Sequence, residues 1–235
     1  MKAFFRKARS AGFMKNHPCF SEEAHHRFGR IHLPVAPACN IQCRYCIRKY
    51  DCANESRPGV TSSVLTPQDA MERVRALVER NERISVIGIA GPGDPLANNA
   101  TFEVLKAIHR EFPDLILCIS TNGLLLAERL EEIVKSGVRS LTVTINAVRP
   151  GTAERIYAWI SYWGKRYAGS EAADILLANQ WRGLANAVDA GLVVKVNSVM
   201  IPGVNDAELP LIARHAGEKG ADLMNIIPLI PQAEF

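Results

Sequence analysis

From Ile31 onward the chain repeats one unit: a short apolar run of strand length, then a longer segment with apolar residues at helical spacing. That alternation selects a parallel sheet, because parallel neighbours need a crossover and an amphipathic helix both makes the crossover and covers the sheet. Strands are expected near Ile31, at Ile84 to Ala90, Leu115 to Ser120 and Ser140 to Asn146, from about Leu192, and at Leu223 to Ile227. The helix before Ile84 announces its start, with Thr66 as N-cap, Pro67 at the first position, and Met71, Val74, Leu77 and Val78 on one face. Later helices are marked by Leu105, Ile108 and Phe112, by Leu126, Leu130, Ile133 and Val134 with Gly137 as the stop, by Leu177, Trp181, Leu184 and Val188, and by residues 206–219. A chain of 235 residues that is 48% hydrophobic can bury one sizeable core. The expectation is a single α/β domain, an incomplete six-stranded barrel over 31–235, behind an N-terminal extension over 1–30.

Side-chain parity says what the barrel encloses. In the strand from Ser140, Leu141, Val143 and Ile145 share one face and Thr142, Thr144 and Asn146 the other; Lys195 and Asn197 repeat the pattern one strand later. Closed eight-stranded barrels fill their interior mainly with branched apolar residues, so polar inward positions indicate a wet interior that holds a ligand. Cys118 shares parity with Ser120 and Asn122, which aims its thiol the same way; the competing reading is a buried free cysteine packed as a small hydrophobe. Function in such barrels gathers on loops at the carboxyl ends of the strands, and there stand Gly91-Pro92-Gly93-Asp94-Pro95, Thr121-Asn122-Gly123 and Asn146. The strand rhythm lengthens once, at an aromatic insertion over roughly 150–170 with Tyr157, Trp159, Tyr162, Trp163 and Tyr167. It reads either as a lid or as aromatics packed on the outer helices.

Five of the six cysteines lie between Cys19 and Cys52, which reads as metal ligation in a reducing compartment and not as a disulfide framework. The core of the cluster is Cys39-x3-Cys43-x2-Cys46, on a loop after an apolar run. Three thiolates so spaced can hold three irons of a four-iron cube and leave the fourth open. A structural zinc site would want a fourth ligand at matched spacing, and Cys52 is out of step. Upstream, Ser21 caps a short helix carrying Glu22, Glu23, His25 and His26, with Cys19 and His32 close by; a surface helix and a ligand-bearing segment both fit. The basic N-terminus has no apolar signal region and no run approaches a membrane span, so a cytoplasmic location is expected. A net charge of +4 spread along the chain does not argue for nucleic acid.

With these residues in view, the chain resembles the radical S-adenosylmethionine (SAM) superfamily, through the Cys39, Cys43, Cys46 loop and the Gly-Pro-Gly-Asp-Pro turn. More narrowly it is similar to the NifB family of nitrogenase cofactor assembly, through HPCFSEEAHH, ESRPGV at 55–60, AGPGDPLAN, STNGL, TINAV and NSVMIPGVND. Ile47 and Arg149 depart from that pattern, where Asn and Asp would be expected; neither is a ligand position. The resemblance implies a partial (βα)6 TIM-like barrel of the radical SAM type. It implies an enzyme that fuses two 4Fe-4S clusters with a SAM-derived carbide and extra sulfur into an eight-iron precursor of nitrogenase cofactor. Its cofactors would be SAM and a SAM-binding 4Fe-4S cluster on Cys39, Cys43 and Cys46, with further 4Fe-4S clusters as substrates. His32, Cys52 and Cys118 would hold the first substrate cluster and Cys19 would help hold the second.

By the same analogy SAM would meet Gly91, Gly93, Asp94, Thr121, Asn122, Thr144, Asn146, Asn197 and Ile201. Glu22, Glu23, His25 and His26 are candidates for proton handling. Implied partners are cluster donors, cofactor carrier and scaffold proteins of nitrogenase assembly, and an electron donor such as ferredoxin or flavodoxin, with neither nucleic acid nor membrane. The family also implies a tail with a Cys-x2-Cys pair beyond Phe235; without it Cys19 is expected unliganded in a flexible N-terminal stretch. The rival readings are a radical SAM enzyme acting on an organic substrate, which leaves His32, Cys52 and Cys118 unexplained, and a zinc-stabilised nucleic-acid-binding module.

Overall fold

The structure is a computed structural model, and it describes residues 15, 17–47, 52 and 64–230. The ESRPGV motif and the first half of the N-terminal extension lie outside the described residues. Six parallel strands form one curled sheet, a half-barrel, in the order β1 (Gly29–His32), β3 (Ile84–Ile89), β4 (Ile116–Thr121), β5 (Val138–Thr144), β8 (Val193–Met200), β9 (Leu223–Pro228). The first strand thus begins just ahead of the boundary expected at residue 31. A second sheet is small and antiparallel: β2 (Ile41–Cys43), β6 (Tyr157–Tyr162) and β7 (Lys165–Tyr167).

Helices cover the outer face of the half-barrel: α2 (Pro67–Arg80), α3 (Asn99–Glu111), α4 (Leu130–Lys135), α6 (Gly169–Asp189) and α7 (Leu209–Glu218). Their apolar stripes, such as Met71 and Val74 on α2 or Leu105 and Ile108 on α3, pack on Ile87, Ile119, Leu141, Val143, Val194 and Val196 of the strands. Thr66 starts α2 with a reciprocal cap: its Oγ1 accepts from the Asp69 amide at 3.1 Å, and Asp69 Oδ2 accepts from the Thr66 amide at 3.3 Å. The alternation read from sequence is present in β4, where Leu117 and Ile119 are fully buried against the helices while Cys118 and Ser120 face the interior half-buried.

The aromatic insertion forms α5 (Pro150–Ile156) and the β6–β7 hairpin, whose turn places Trp163 at φ 51° and Gly164 at φ 74°. Tyr157 and Ile160 do pack on α5 and α6. The hairpin's outer edge, however, pairs with the cysteine loop itself: Ile41 stands opposite Ile160, Gln42 opposite Trp159 and Cys43 opposite Tyr157.

Candidate active site

At the carboxyl end of the half-barrel, Cys39, Cys43, Cys46 and Cys52 line one open cavity together with Gly93, Asp94, Thr121, Asn122 and Thr144. The loop that carries the first three cysteines is fixed from several sides. Gln42 Nε2 donates to the carbonyls of Cys43 and Cys46, both at 2.9 Å, and the Ser161 amide of the hairpin donates to Asn40 O at 2.7 Å. Asn122 Nδ2 donates to Asn40 Oδ1 at 2.6 Å and stands 3.8 Å from Cys39 Sγ, the position of an amide that would steady a thiolate. Asn40 Nδ2 is buried with no hydrogen-bond partner among the described residues.

The Gly-Pro-Gly-Asp turn presses against the chain just before Cys39. A Cβ on Gly93 would meet Ala38 O at 2.2 Å and Ala36 O at 2.8 Å, so only glycine permits this approach. Gly93 N donates to Ala36 O at 2.6 Å and Asp94 N to Ala38 O at 2.9 Å. The Asp94 carboxylate is committed to protein donors: the Leu96 amide (2.9 Å), the Thr121 hydroxyl (2.9 and 3.0 Å) and the Asn122 amide (2.6 Å). Burial raises its pKa and these hydrogen bonds oppose that. Asp94 therefore ties the turn to the exit of β4, which leaves backbone groups of the turn to meet a ligand.

Of the other expected SAM contacts, Gly91 lies with its Cβ direction 3.8 Å from Cys52 Cβ, while Asn146, Asn197 and Ile201 fall outside the lining of this cavity. Asn146 instead joins strand ends, donating to the Tyr45 hydroxyl at 2.7 Å and accepting from the Val199 amide at 2.8 Å. Burial keeps the Tyr45 phenol well above its ordinary pKa, so it stays protonated.

A second tier lies deeper in the half-barrel. His32 and Cys118 stand opposite Gly88 on its two sides, and a Cβ on Gly88 would meet the His32 ring at 2.9 Å. His32 is open to the interior of the half-barrel, yet the protein atoms crowding its ring, then the charges of Arg30 and Lys195, lower its pKa to about 4, which keeps the imidazole neutral and able to ligate. Cys52 is in the upper cavity with the other three cysteines. Cys19, expected in a loose stretch, is docked: Arg30 donates to its thiol, and the neighbouring His17 is wholly buried with Nε2 3.1 Å from Ser140 Oγ. Glu22, Glu23, His25 and His26 lie on α1 (Glu22–Arg27) and are solvent-exposed, with Glu23 paired to Arg27; the surface-helix account suffices for them.

Among the described residues no three His, Cys, Asp or Glu side chains gather closely enough to hold one metal ion. A tetrahedral zinc ion needs its ligands to converge on a point, whereas a four-iron cube takes each thiolate on a different iron. Three thiols around one open cavity suit the cube, which takes each on a different iron. Sequence reading missed several residues that build this site. Asn98 and Asn205 sit in the quoted motifs and serve as backbone clasps; Asn205 Nδ2 donates to Asn146 O and Val199 O. Gln180, a polar residue on the apolar stripe of α6, donates to Asn122 O and Thr144 O at 2.8 and 2.9 Å, and that misplaced polarity was the signal available.

The Radical SAM superfamily matches residues 33–216. The chain is 51% identical over 219 residues to the FeMo cofactor biosynthesis protein NifB of Klebsiella pneumoniae, covering 93% of this chain and 47% of the relative. It is 52% identical over 222 residues to the protein of the same name from Herbaspirillum seropedicae, covering 94% and 42%. The chain thus spans about half the length of the curated relatives it matches. Among solved structures, methylornithine synthase (PylB) shares the fold with a TM-score of 0.56 at 19% identity, over 99% of this chain and 61% of that one. The anSMEcpe structure with bound AdoMet does so with a TM-score of 0.57 at 14% identity, over 88% and 55%.

Proposed function

The chain belongs to the Radical SAM superfamily, and we propose that it acts in nitrogenase cofactor assembly, joining two four-iron clusters, its substrates, with a SAM-derived carbide and extra sulfur into an eight-iron precursor. The observation that carries this reading is one cavity shared by Cys39, Cys43, Cys46 and the Gly93–Asp94 turn, in a chain half identical to NifB proteins over nearly all its length. Bound on the three thiolates, a 4Fe-4S cluster supplies the electron that cleaves SAM reductively.

The chain's own residues do the rest. Gln42 holds the loop closed by its carbonyls, Asn122 faces the Cys39 thiolate, and Asp94 fixes the turn whose backbone would take the amino end of SAM. Leu124, Tyr157 and Ile160 back the loop with buried apolar surface that keeps water from one side of the reaction. Beneath, neutral His32 and the Cys118 thiol would hold a substrate cluster; imidazole ligation suits a cluster that must later leave. The partners would be cluster donors, carrier and scaffold proteins, and a one-electron donor.

Anaerobically reconstituted protein with dithionite should convert SAM to 5′-deoxyadenosine, and Cys43→Ala should abolish the product. Undiminished cleavage in that variant would sink the assignment.

A further inference from the structure

The small sheet β2–β6–β7 has two faces of different character. Ile41, Tyr157 and Ile160 point into the core. The opposite face runs without interruption from solvent to the cysteine loop: the Arg166 guanidinium stacks 4.2 Å from the Trp159 ring, Trp159 stands opposite Gln42, and Gln42 grips the Cys43 and Cys46 carbonyls. At the tip Trp163 is 76% exposed. The hairpin is pinned, because the Tyr162 hydroxyl donates to Glu128 at 2.8 Å.

Charges on an edge strand such as β7 protect it from pairing with other chains, which accounts for Lys165 and Arg166. It does not account for a tryptophan held in water on a pinned turn, in the same hairpin as a guanidinium stacked on a second tryptophan. Among the described residues neither Lys165 nor Arg166 pairs with a carboxylate; each lies over a ring, Lys165 over Tyr167 and Arg166 over Trp159. Exposed Trp and Arg together are the composition of a binding surface, and unpaired cations select an acidic partner.

We infer that this face, with Trp159, Trp163 and Arg166, docks an acidic one-electron carrier protein that delivers its electron to the cysteine loop. The inference rests on the reading that the loop holds a reducible cluster. The step is balanced by one electron: the carrier is oxidised and the cluster reduced, with no bond made or broken.

The test compares two reductants on cluster-loaded protein, a reduced flavodoxin of net negative charge and dithionite, following the bleaching of the cluster absorbance at low ionic strength. Arg166→Glu combined with Trp163→Ala should slow reduction by the flavodoxin at least ~10-fold while dithionite bleaching stays within about twofold, and added salt should slow the wild type towards the variant. Equal slowing with both reductants, or unchanged flavodoxin rates, would overturn the docking face. A salt-sensitive dimer of this chain that Arg166→Glu abolishes would make the face a self-interface and overturn it as well. Absence of any bleaching in the wild type would count against the cluster reading instead. Titration of flavodoxin onto the protein without cluster, wild type against variant, would then still decide the docking face: binding lost in the variant upholds it and equal binding overturns it.

Discussion

Asn98 grips Ala38 by both of its backbone groups, donating from Nδ2 to the carbonyl at 2.8 Å and accepting from the amide at 3.1 Å. Ala38 immediately precedes Cys39, so a residue at the foot of α3 sets where the cysteine loop begins. Asn98→Ala should cost roughly 1–3 kcal/mol, since it leaves buried partners unsatisfied. Iron retained after anaerobic desalting should fall along with Tm. Retention equal to wild type at lowered Tm would show that the clasp stabilises the fold without framing the loop.

Gly93 and Gly151 make a matched pair for substitution. A methyl group on Gly93 collides with backbone carbonyls of Ala36 and Ala38, which cannot swing aside as a side chain could, whereas Gly151 in α5 has nothing within 4 Å. Gly93→Ala should be destabilised and load less iron. Gly151→Ala should be neutral or stabilised by up to about 1 kcal/mol through the helix preference for alanine. Thermal melts with iron assays on both variants check this.

Glu208 is buried, and its carboxylate accepts from the Val148 and Arg149 amides and the Thr152 hydroxyl at 2.7, 3.1 and 2.6 Å, capping the start of α5. Burial pushes its pKa up, but these hydrogen bonds and the Arg149 charge outweigh that and hold it below the ordinary carboxylate range. A depressed pKa means that the folded state binds fewer protons than the unfolded state, so the stabilisation is present above the unfolded pKa near 4.5 and is lost as pH falls through the lower folded value. Glu208→Gln should be less stable than wild type at pH 7, and denaturant melts should show the gap closing on acidification below pH 4.5. A gap independent of pH would remove the charge from the explanation.

Cys118→Ala separates the two tiers. If the thiol serves a substrate cluster with His32, iron content should fall while SAM cleavage at the upper cavity continues. A loss of only ~1 kcal/mol of stability with unchanged iron would return Cys118 to the role of a buried hydrophobe.

The parts legible in the sequence are those with local causes. Thr66, Pro67 and Asp69 spell a helix start within four positions, and Leu117, Ile119 and their inward neighbours Cys118 and Ser120 spell a strand with two faces. The cysteine spacing was equally local. What stayed hidden depends on residues far apart in the chain: Gly93 against Ala38, Asn122 against Asn40, His17 against Ser140. The aromatic insertion was legible only as an interruption of the strand rhythm, and nothing local says that Tyr157 to Tyr167 will form a hairpin whose free edge chooses β2. Asp94 shows the limit of analogy: it lines the cavity with the cysteines, yet its carboxylate is occupied by donors that no motif reveals.

The pairing of β2 with β6 also orders events in time. Arg44 donates to a carbonyl 110 residues further along, so the thiols of the cysteine loop leave the ribosome long before the hairpin that braces them exists. Contacts of such sequence separation form late, because the intervening chain must first be brought to closure. The nascent loop must pass through synthesis as an unframed set of reactive thiols, open to oxidation and to stray metals, and metal delivery is best deferred until the second sheet has closed.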